Sequence, residues 1–214
     1  MSGILIGLYA LVGVVHEISA LLFKEGVRKA TKAMLMPVLL VFYVVTVSEI
    51  LIVAIVAIAF SWLGDILLIR KDEPKFFRMG LVAFLLSHVF YIVALLVIID
   101  NYHMIALVIS VVIALIAEIL LPKLINPPKA MKMPVIVYGV VILSMCVFAF
   151  QHVLNHPGFA STLLFAGSII FVFSDSLMTF LAFKEEKPKY FNAITMLPYI
   201  IAQVFIVVGL AFFG

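Results

Sequence analysis

Charged residues are scarce in this chain, and their scarcity excludes a water-soluble fold. Only 12% of the 214 residues are Asp, Glu, Lys or Arg, whereas 66% are hydrophobic and the mean hydropathy is +1.34. A soluble domain typically carries about 25% charged residues. Several apolar runs reach the roughly 20 residues that a helix needs to cross the hydrocarbon core of a bilayer. The composition therefore predicts an all-α, multi-pass integral membrane protein surrounded by membrane lipids.

Cysteine and the common cofactor motifs are also nearly absent. Cys146 is the single cysteine, so the chain can form no internal disulfide. The sequence has no His-Glu-x-x-His or paired-cysteine spacing, no Gly-x-Ser-x-Gly elbow and no phosphate-binding loop. We expect no metal and no other cofactor. The first apolar run lacks a basic leader and contains His16 and Glu17, so we interpret it as a retained first span.

Eight apolar segments predict eight transmembrane helices, at about residues 3–23, 32–48, 50–69, 79–99, 104–121, 133–151, 158–183 and 190–213. All 14 basic residues fall in or beside the first, third, fifth and seventh connections. By the positive-inside rule these connections face the cytoplasm, and both termini lie on the opposite side. In a bacterium the membrane would be the plasma (inner) membrane. The basic residues are dispersed without an aromatic-lined face, so we expect no nucleic-acid partner.

Short motifs recur in the same order in the two halves of the chain. The segment 32–37 reads Lys-Ala-Met-Leu-Met-Pro and returns as Lys-Ala-Met-Lys-Met-Pro at 129–134, and Glu17 late in the first span corresponds to Glu118 late in the fifth. The recurrence predicts one transmembrane domain, residues 1–214, made of four-helix repeats at about 1–100 and 101–214. Because four is even, the repeats should be parallel and related by an axis along the membrane normal.

Two aspartates inside apolar spans are the main candidates for catalysis. Asp65 follows Gly64 in the third span, and Asp175 follows Ser174 in the seventh, so each has a small neighbour that lets helices approach closely. An ionisable residue in hydrocarbon costs about 2.5–3.5 kcal/mol on insertion scales and usually has a function. Two facing carboxylates would hold one proton between them and so supply an acid and a base. The alternative is that each aspartate only hydrogen-bonds a neighbouring helix.

Two glutamates near the predicted cytoplasmic ends of their spans are candidates for supporting roles. Glu17 and Glu118 are each either a site residue or the partner of a nearby lysine, Lys32 or Lys129, in a structural ion pair.

Polar residues of the fourth and eighth spans complete the candidate site. His88 and Tyr91 share one face of the fourth span, where the histidine either orients a substrate or is a hydrogen-bonded core residue. The eighth span has a polar stripe, which either lines a cavity or bonds neighbouring helices: Asn192, Thr195, Tyr199 and Gln203.

Several of these motifs together resemble the YhhN-like lysoplasmalogenase family. They extend from the second to the eighth span and comprise Lys32 with Met36-Pro37, Ser61-Trp62-Leu63-Gly64-Asp65, Phe84-x-x-x-His88-x-x-Tyr91, Ser174-Asp175 and Tyr199-x-x-x-Gln203. The resemblance implies an eight-span hydrolase that cleaves the vinyl ether bond of a lysophospholipid substrate, a lysoplasmalogen, in the bilayer. The products would be a fatty aldehyde and glycerophosphoethanolamine or glycerophosphocholine, with Asp65 and Asp175 as the catalytic residues. The phosphate of the lipid would then lie near Lys32 or Lys129.

A proton-coupled transporter or a lipid flippase is the alternative function, because parallel repeats and intramembrane carboxylates are typical of such proteins too. The charged groups, however, cluster in one half of the predicted membrane span, with no polar ladder to the other side, which favours the hydrolase. An intramembrane aspartyl protease would require Gly-x-Gly-Asp, and Trp62 stands where the first glycine would be.

Overall fold

The computed structural model describes residues 1–212, and this part of the chain is built from α-helices. It contains eight of them and no β-strand: α1 (Ser2–Leu21), α2 (Glu25–Thr46), α3 (Ile52–Leu68), α4 (Pro74–Ile98), α5 (Met104–Ile125), α6 (Lys132–Asn155), α7 (Phe159–Ala182) and α8 (Phe191–Ala211). A short 3-10 turn, Lys129–Met131, precedes α6. The predicted all-α fold with eight helices is confirmed. Residue 213, the last of the eighth predicted span, lies outside the described residues.

Most of these helices can cross a bilayer. Within residues 1–212, seven are long and apolar enough to do so. The remaining helix, α3, is equally apolar but has 17 residues, which at 1.5 Å per residue is about 26 Å. This length lies at the short end of the range for spanning helices, about 17–25 residues. The protein is an integral multi-pass membrane protein.

The second helix begins earlier than hydropathy predicts, because polar residues extend it beyond its apolar run. α2 begins at Glu25, and Arg28 Nη2 lies 2.6 Å from Glu25 Oε2 one turn along the helix. An acidic residue in the first turn and an ion pair at this spacing both stabilise a helix start. Lys29 and Lys32 therefore belong to α2 and not to the preceding connection. Lys32 lies about 10 Å along the helix from its start and is buried.

The chain divides into two compact units. Unit 1 comprises Met1–Ala94 and the last turn of α8 from Leu210, and unit 2 comprises Leu95–Gly209. In unit 1, α2 packs against α1 and α3. In unit 2, α6 packs against α5 and α7, and α5 also contacts α7. The duplication into two parallel repeats stays a prediction.

A glycine allows α3 and α4 to approach each other closely in unit 1. A Cβ atom at Gly64 would lie 2.6 Å from Cε2 of Phe84, a separation that side chains do not tolerate. A Cβ at Gly80 on α4 would lie equally close, 2.6 Å, to Cδ2 of Leu68 on α3. Asp65 is the next residue after Gly64, so the packing that requires glycine also fixes the position of the aspartate on α3.

Candidate active site

Unit 1 buries an ion pair between α2 and α3. Lys32 Nζ lies 3.2 Å from Asp65 Oδ1, and the two side chains are 8% and 1% exposed. The indole N–H of Trp62 donates a hydrogen bond of 2.9 Å to the carbonyl oxygen of Ala33, which ties the same two helices together beside the pair. Glu17 forms no ion pair within residues 1–212, and its Oε1 is buried without a hydrogen-bond partner there. The charge of Lys32 is therefore balanced by the aspartate and not by the glutamate.

Hydroxyl groups from three helices belong to the surroundings of Asp65. Ser61 Oγ on α3 and Ser87 Oγ on α4 are 2.7 Å apart, and Ser87 donates its proton to a backbone carbonyl of α3, so Ser61 is the donor between the two serines. Tyr91 forms a hydrogen bond with Ser61. Tyr9 on α1 interacts electrostatically with both Asp65 and Tyr91. Tyr9 thus interacts with the buried aspartate from α1, and the hydrogen bonds of Ser61 join α3 to α4 one turn before the aspartate.

His88 is a buried member of α4 that hydrogen-bonds its own helix. Its Nδ1 lies 2.6 Å from the carbonyl oxygen of Phe84, one turn earlier. A carbonyl accepts only, so Nδ1 carries a proton and donates it in this hydrogen bond. The predicted shared face with Tyr91 is buried, since both side chains are 1% exposed. Nowhere in residues 1–212 do three or more His, Cys, Asp or Glu side chains come together as a metal site would require.

The aspartate of unit 2 has a different partner, a tyrosine. The hydroxyl of Tyr138 on α6 donates a hydrogen bond to Oδ2 of Asp175 on α7. A neutral phenol brings no positive charge, so the two aspartates that the repeat predicts to be equivalent lie in different electrostatic surroundings. Sequence reasoning missed Tyr138. It lies four residues after Pro134, and the matching position after Pro37 is Val41, so comparing the two halves gave no signal.

Glu118 and Asp175 line the same small cleft in unit 2. The cleft has a volume of about 30 Å³, which is room for a water molecule, and its polar lining consists of Glu118, Tyr138, Asp175, Ser176 and Thr179. Both carboxylate oxygens of Glu118 are buried and have no hydrogen-bond partner within the described chain. A Cβ atom at Gly139 would overlap with this carboxylate. Glu118 thus lies beside the catalytic candidate, whereas Lys129 is exposed in the turn before α6.

A much larger apolar groove adjoins this cleft. It has a volume of about 710 Å³ and is formed by residues of α5, α6 and α7, of which only Ser110, Cys146 and Ser176 are not fully apolar. Leu121, Val172 and Ser176 line both the groove and the cleft, so the two spaces are contiguous. Sequence reasoning did not find the groove, because its walls are ordinary apolar residues of three separate spans.

The polar stripe of α8 is mostly buried, and Thr195 and Tyr199 contact residues of α7 and α8. Ser174 Oγ on α7 donates a hydrogen bond of 3.3 Å to the carbonyl oxygen of Thr195, whose own hydroxyl donates to a carbonyl of α8 at 2.9 Å. The ring of Tyr199 meets that of Phe171 edge-on, with centroids 5.6 Å apart. Gln203 is fully buried and Asn192 is partly exposed. Ser174, Thr195 and Tyr199 therefore hold α7 and α8 together.

Comparison of the sequence with known protein families gives the same family as the short motifs. The sequence profile of the YhhN family matches residues 27–210, which is most of the chain and includes both aspartates, Lys32 and Tyr138. No curated protein and no solved structure matches the chain. The resemblance inferred from the short motifs is confirmed: the chain belongs to the YhhN family.

Proposed function

We propose that this protein hydrolyses the vinyl ether bond of lysoplasmalogens in the membrane, releasing a fatty aldehyde and glycerophosphoethanolamine or glycerophosphocholine. The observation that carries the proposal is that each of the two aspartates is buried and that they have unlike partners. Asp65 is paired with the ammonium of Lys32, and Asp175 accepts a hydrogen bond from the neutral Tyr138. Membership of the YhhN family and the apolar groove beside Asp175 both favour a lipid as the substrate.

The reaction requires one group that gives a proton and one that takes a proton. The acid adds its proton to the vinyl carbon that does not bear the oxygen, which produces an oxocarbenium ion. Water then adds to the carbon that bears the oxygen and loses a proton to the base. The resulting hemiacetal separates into the aldehyde and the free hydroxyl of the glycerol backbone. One proton is given and one is taken, so the total number of protons on the enzyme is unchanged. The base then releases its proton to water and the acid takes one up from water, which restores the starting state.

The two aspartates suit different steps of this reaction. The ammonium of Lys32 balances the negative charge of Asp65, so Asp65 serves as the ionised group that stabilises the oxocarbenium ion and accepts the proton of water. Asp175 accepts the hydrogen bond of Tyr138 at Oδ2, and a proton on Oδ1 can then be transferred to the vinyl carbon. Glu118 lines the same cleft as Asp175 and supports it.

The proposal is tested with two lipids that differ in one bond. The purified protein in lipid nanodiscs receives a lysoplasmalogen or the matching saturated alkyl-ether lysophospholipid, and aldehyde is measured after rapid trapping. We expect aldehyde from the vinyl ether alone. In heavy water the aldehyde should carry deuterium on the carbon next to the carbonyl, because the proton adds there. A folded protein that releases no aldehyde from the lysoplasmalogen would overturn the proposal.

A further inference from the structure

The α5 wall of the groove in unit 2 includes three small residues on one face of the helix: Ser110, Ala114 and Ala117. Ser110, Ala114, Ala117 and Leu121 recur at spacings of three and four residues, which places them on one side of the helix. α6 contributes Cys146 and Phe150 to the opposite wall, and α7 contributes further apolar residues. The small side chains of Ser110, Ala114 and Ala117 leave space along this face, which larger α5 residues such as Ile113 and Leu120 border. The apolar groove therefore runs along α5 as far as the cleft that contains Asp175.

We propose that this groove holds the hydrocarbon chain of the substrate and limits the length of chain that the protein accepts. This inference rests on the proposed function. From Ser110 to Leu121 the α5 wall extends for about 16 Å, and the groove volume of about 710 Å³ lies within the roughly 300–1,000 Å³ typical of ligand sites. When the hydrocarbon chain of the lipid lies in the groove, the end that carries the ether lies where Leu121 and Ser176 line both the groove and the cleft. This end is then beside the carboxylates of Glu118 and Asp175.

The shape of the groove, and not its hydrophobicity, is what selects the chain. Lipid tails are as apolar as leucine, so moving a chain from the bilayer into the groove gains little from the hydrophobic effect. Fixed walls instead align the chain and place its polar end at the reacting groups, which lowers the entropic cost of reaction. Reducing the length of the groove should therefore change the chain-length preference and leave general partition into the membrane unaltered.

Two filling substitutions at different depths test the length limit. Ala114 is about 6 Å and Ser110 about 12 Å along α5 from Glu118. Ala114→Phe therefore leaves a shorter stretch of groove next to the cleft than Ser110→Phe. We expect the ratio of kcat/KM for long-chain to short-chain lysoplasmalogens to fall about tenfold or more in Ala114→Phe and less in Ser110→Phe. Val111→Phe and Leu115→Phe are the matched controls, because both residues are exposed on α5 and neither lines the groove. An unchanged ratio in both folded filling variants overturns the inference.

A binding measurement tests whether the groove holds the lipid tail, independently of whether the protein hydrolyses the lipid. A saturated alkyl-ether lysophospholipid with a photoreactive diazirine in its tail is crosslinked to the wild-type protein, and labelled residues are mapped by mass spectrometry. We expect labels on the groove wall, including Cys146 and Phe150, and their loss in Ala114→Phe; Ser110→Phe serves if that variant does not fold. Labels spread evenly over Val111, Leu115 and the groove would mean ordinary surrounding lipid and overturn the inference. Groove labelling without aldehyde release supports the chain site and overturns the proposed hydrolysis.

Discussion

Replacing Lys32 by methionine tests the buried ion pair of unit 1. Lys32 Nζ and Asp65 Oδ1 are 3.2 Å apart and both side chains are buried. Removing one partner of such a pair leaves an uncompensated buried charge, which costs about 3–5 kcal/mol. For a chain of this size about 1 kcal/mol corresponds to 2–4 °C, so the Tm of Lys32→Met should fall by about 6–20 °C.

A double-mutant cycle isolates the interaction between the two side chains. Lys32→Met combined with Asp65→Asn removes both charges, so the double variant should recover most of the stability that Lys32→Met loses. Thermal unfolding of the wild type, the two single variants and the double variant is followed in the same nanodiscs. Lys29→Met is the matched control, because Lys29 is exposed on the same helix and its replacement should change stability by no more than about 0.5 kcal/mol.

The same cycle separates stability from catalysis. If Asp65 is the ionised catalytic group, the double variant should be folded yet release aldehyde as slowly as Asp65→Asn alone, because the carboxylate is gone. The reasoning fails if Lys32→Met destabilises no more than Lys29→Met, or if the double variant is as unstable as the sum of the two single changes. Either result would mean that the two charges are not coupled in a dry environment.

Two further predictions test individual contacts, and a third tests the membrane orientation that the basic residues predict. Tyr138→Phe removes the hydrogen bond to the α7 aspartate, worth about 0.5–1.5 kcal/mol between two neutral groups, so kcat should fall roughly 2- to 12-fold with little change in KM; an unchanged kcat contradicts a role for this hydroxyl. Gly64→Ala would place a Cβ 2.6 Å from an aromatic ring carbon of α4 and should cost about 1–3 kcal/mol, whereas Gly7→Ala, with nothing within 4 Å of the new Cβ, should be neutral or stabilising; equal thermal shifts would show that α3 and α4 do not need the glycine. In a background without the native cysteine, an impermeant maleimide added to intact cells should label a cysteine at Asn155 and miss one at Asp72, and the reverse pattern contradicts the predicted orientation.

The helical membrane fold was predictable because the bilayer leaves few choices. A chain in hydrocarbon must satisfy its backbone hydrogen bonds internally, so apolar runs of spanning length become helices. Helix ends were less predictable, because they depend on polar residues that hydropathy ignores. α2 starts at Glu25 owing to its pair with Arg28, and α5 continues beyond its predicted end to Ile125.

The partners of the two aspartates could not be predicted from the sequence. Lys32 was a candidate partner for Glu17 or for a phosphate, yet it pairs with Asp65 because these faces of α2 and α3 meet. That meeting depends on helix packing, which spacing within one helix does not determine. Tyr138 was missed for the same reason, since a single tyrosine in an apolar helix is ordinary until its neighbour is known. Gly64, by contrast, could be predicted as a close-packing residue.

The rate of aldehyde release by the Asp65→Asn and Asp175→Asn variants tests the central claim most directly. Asparagine keeps the size of the side chain and can still hydrogen-bond a neighbouring helix, but it cannot exchange a proton. The account predicts that each folded variant releases aldehyde from a lysoplasmalogen about 10²- to 10⁴-fold more slowly than the wild type. It also predicts that the double variant is little slower than either single one, because the proposed reaction needs both residues and the loss of either already stops it. Near-normal aldehyde release by either single variant would contradict the account and place the acid and base elsewhere in the chain.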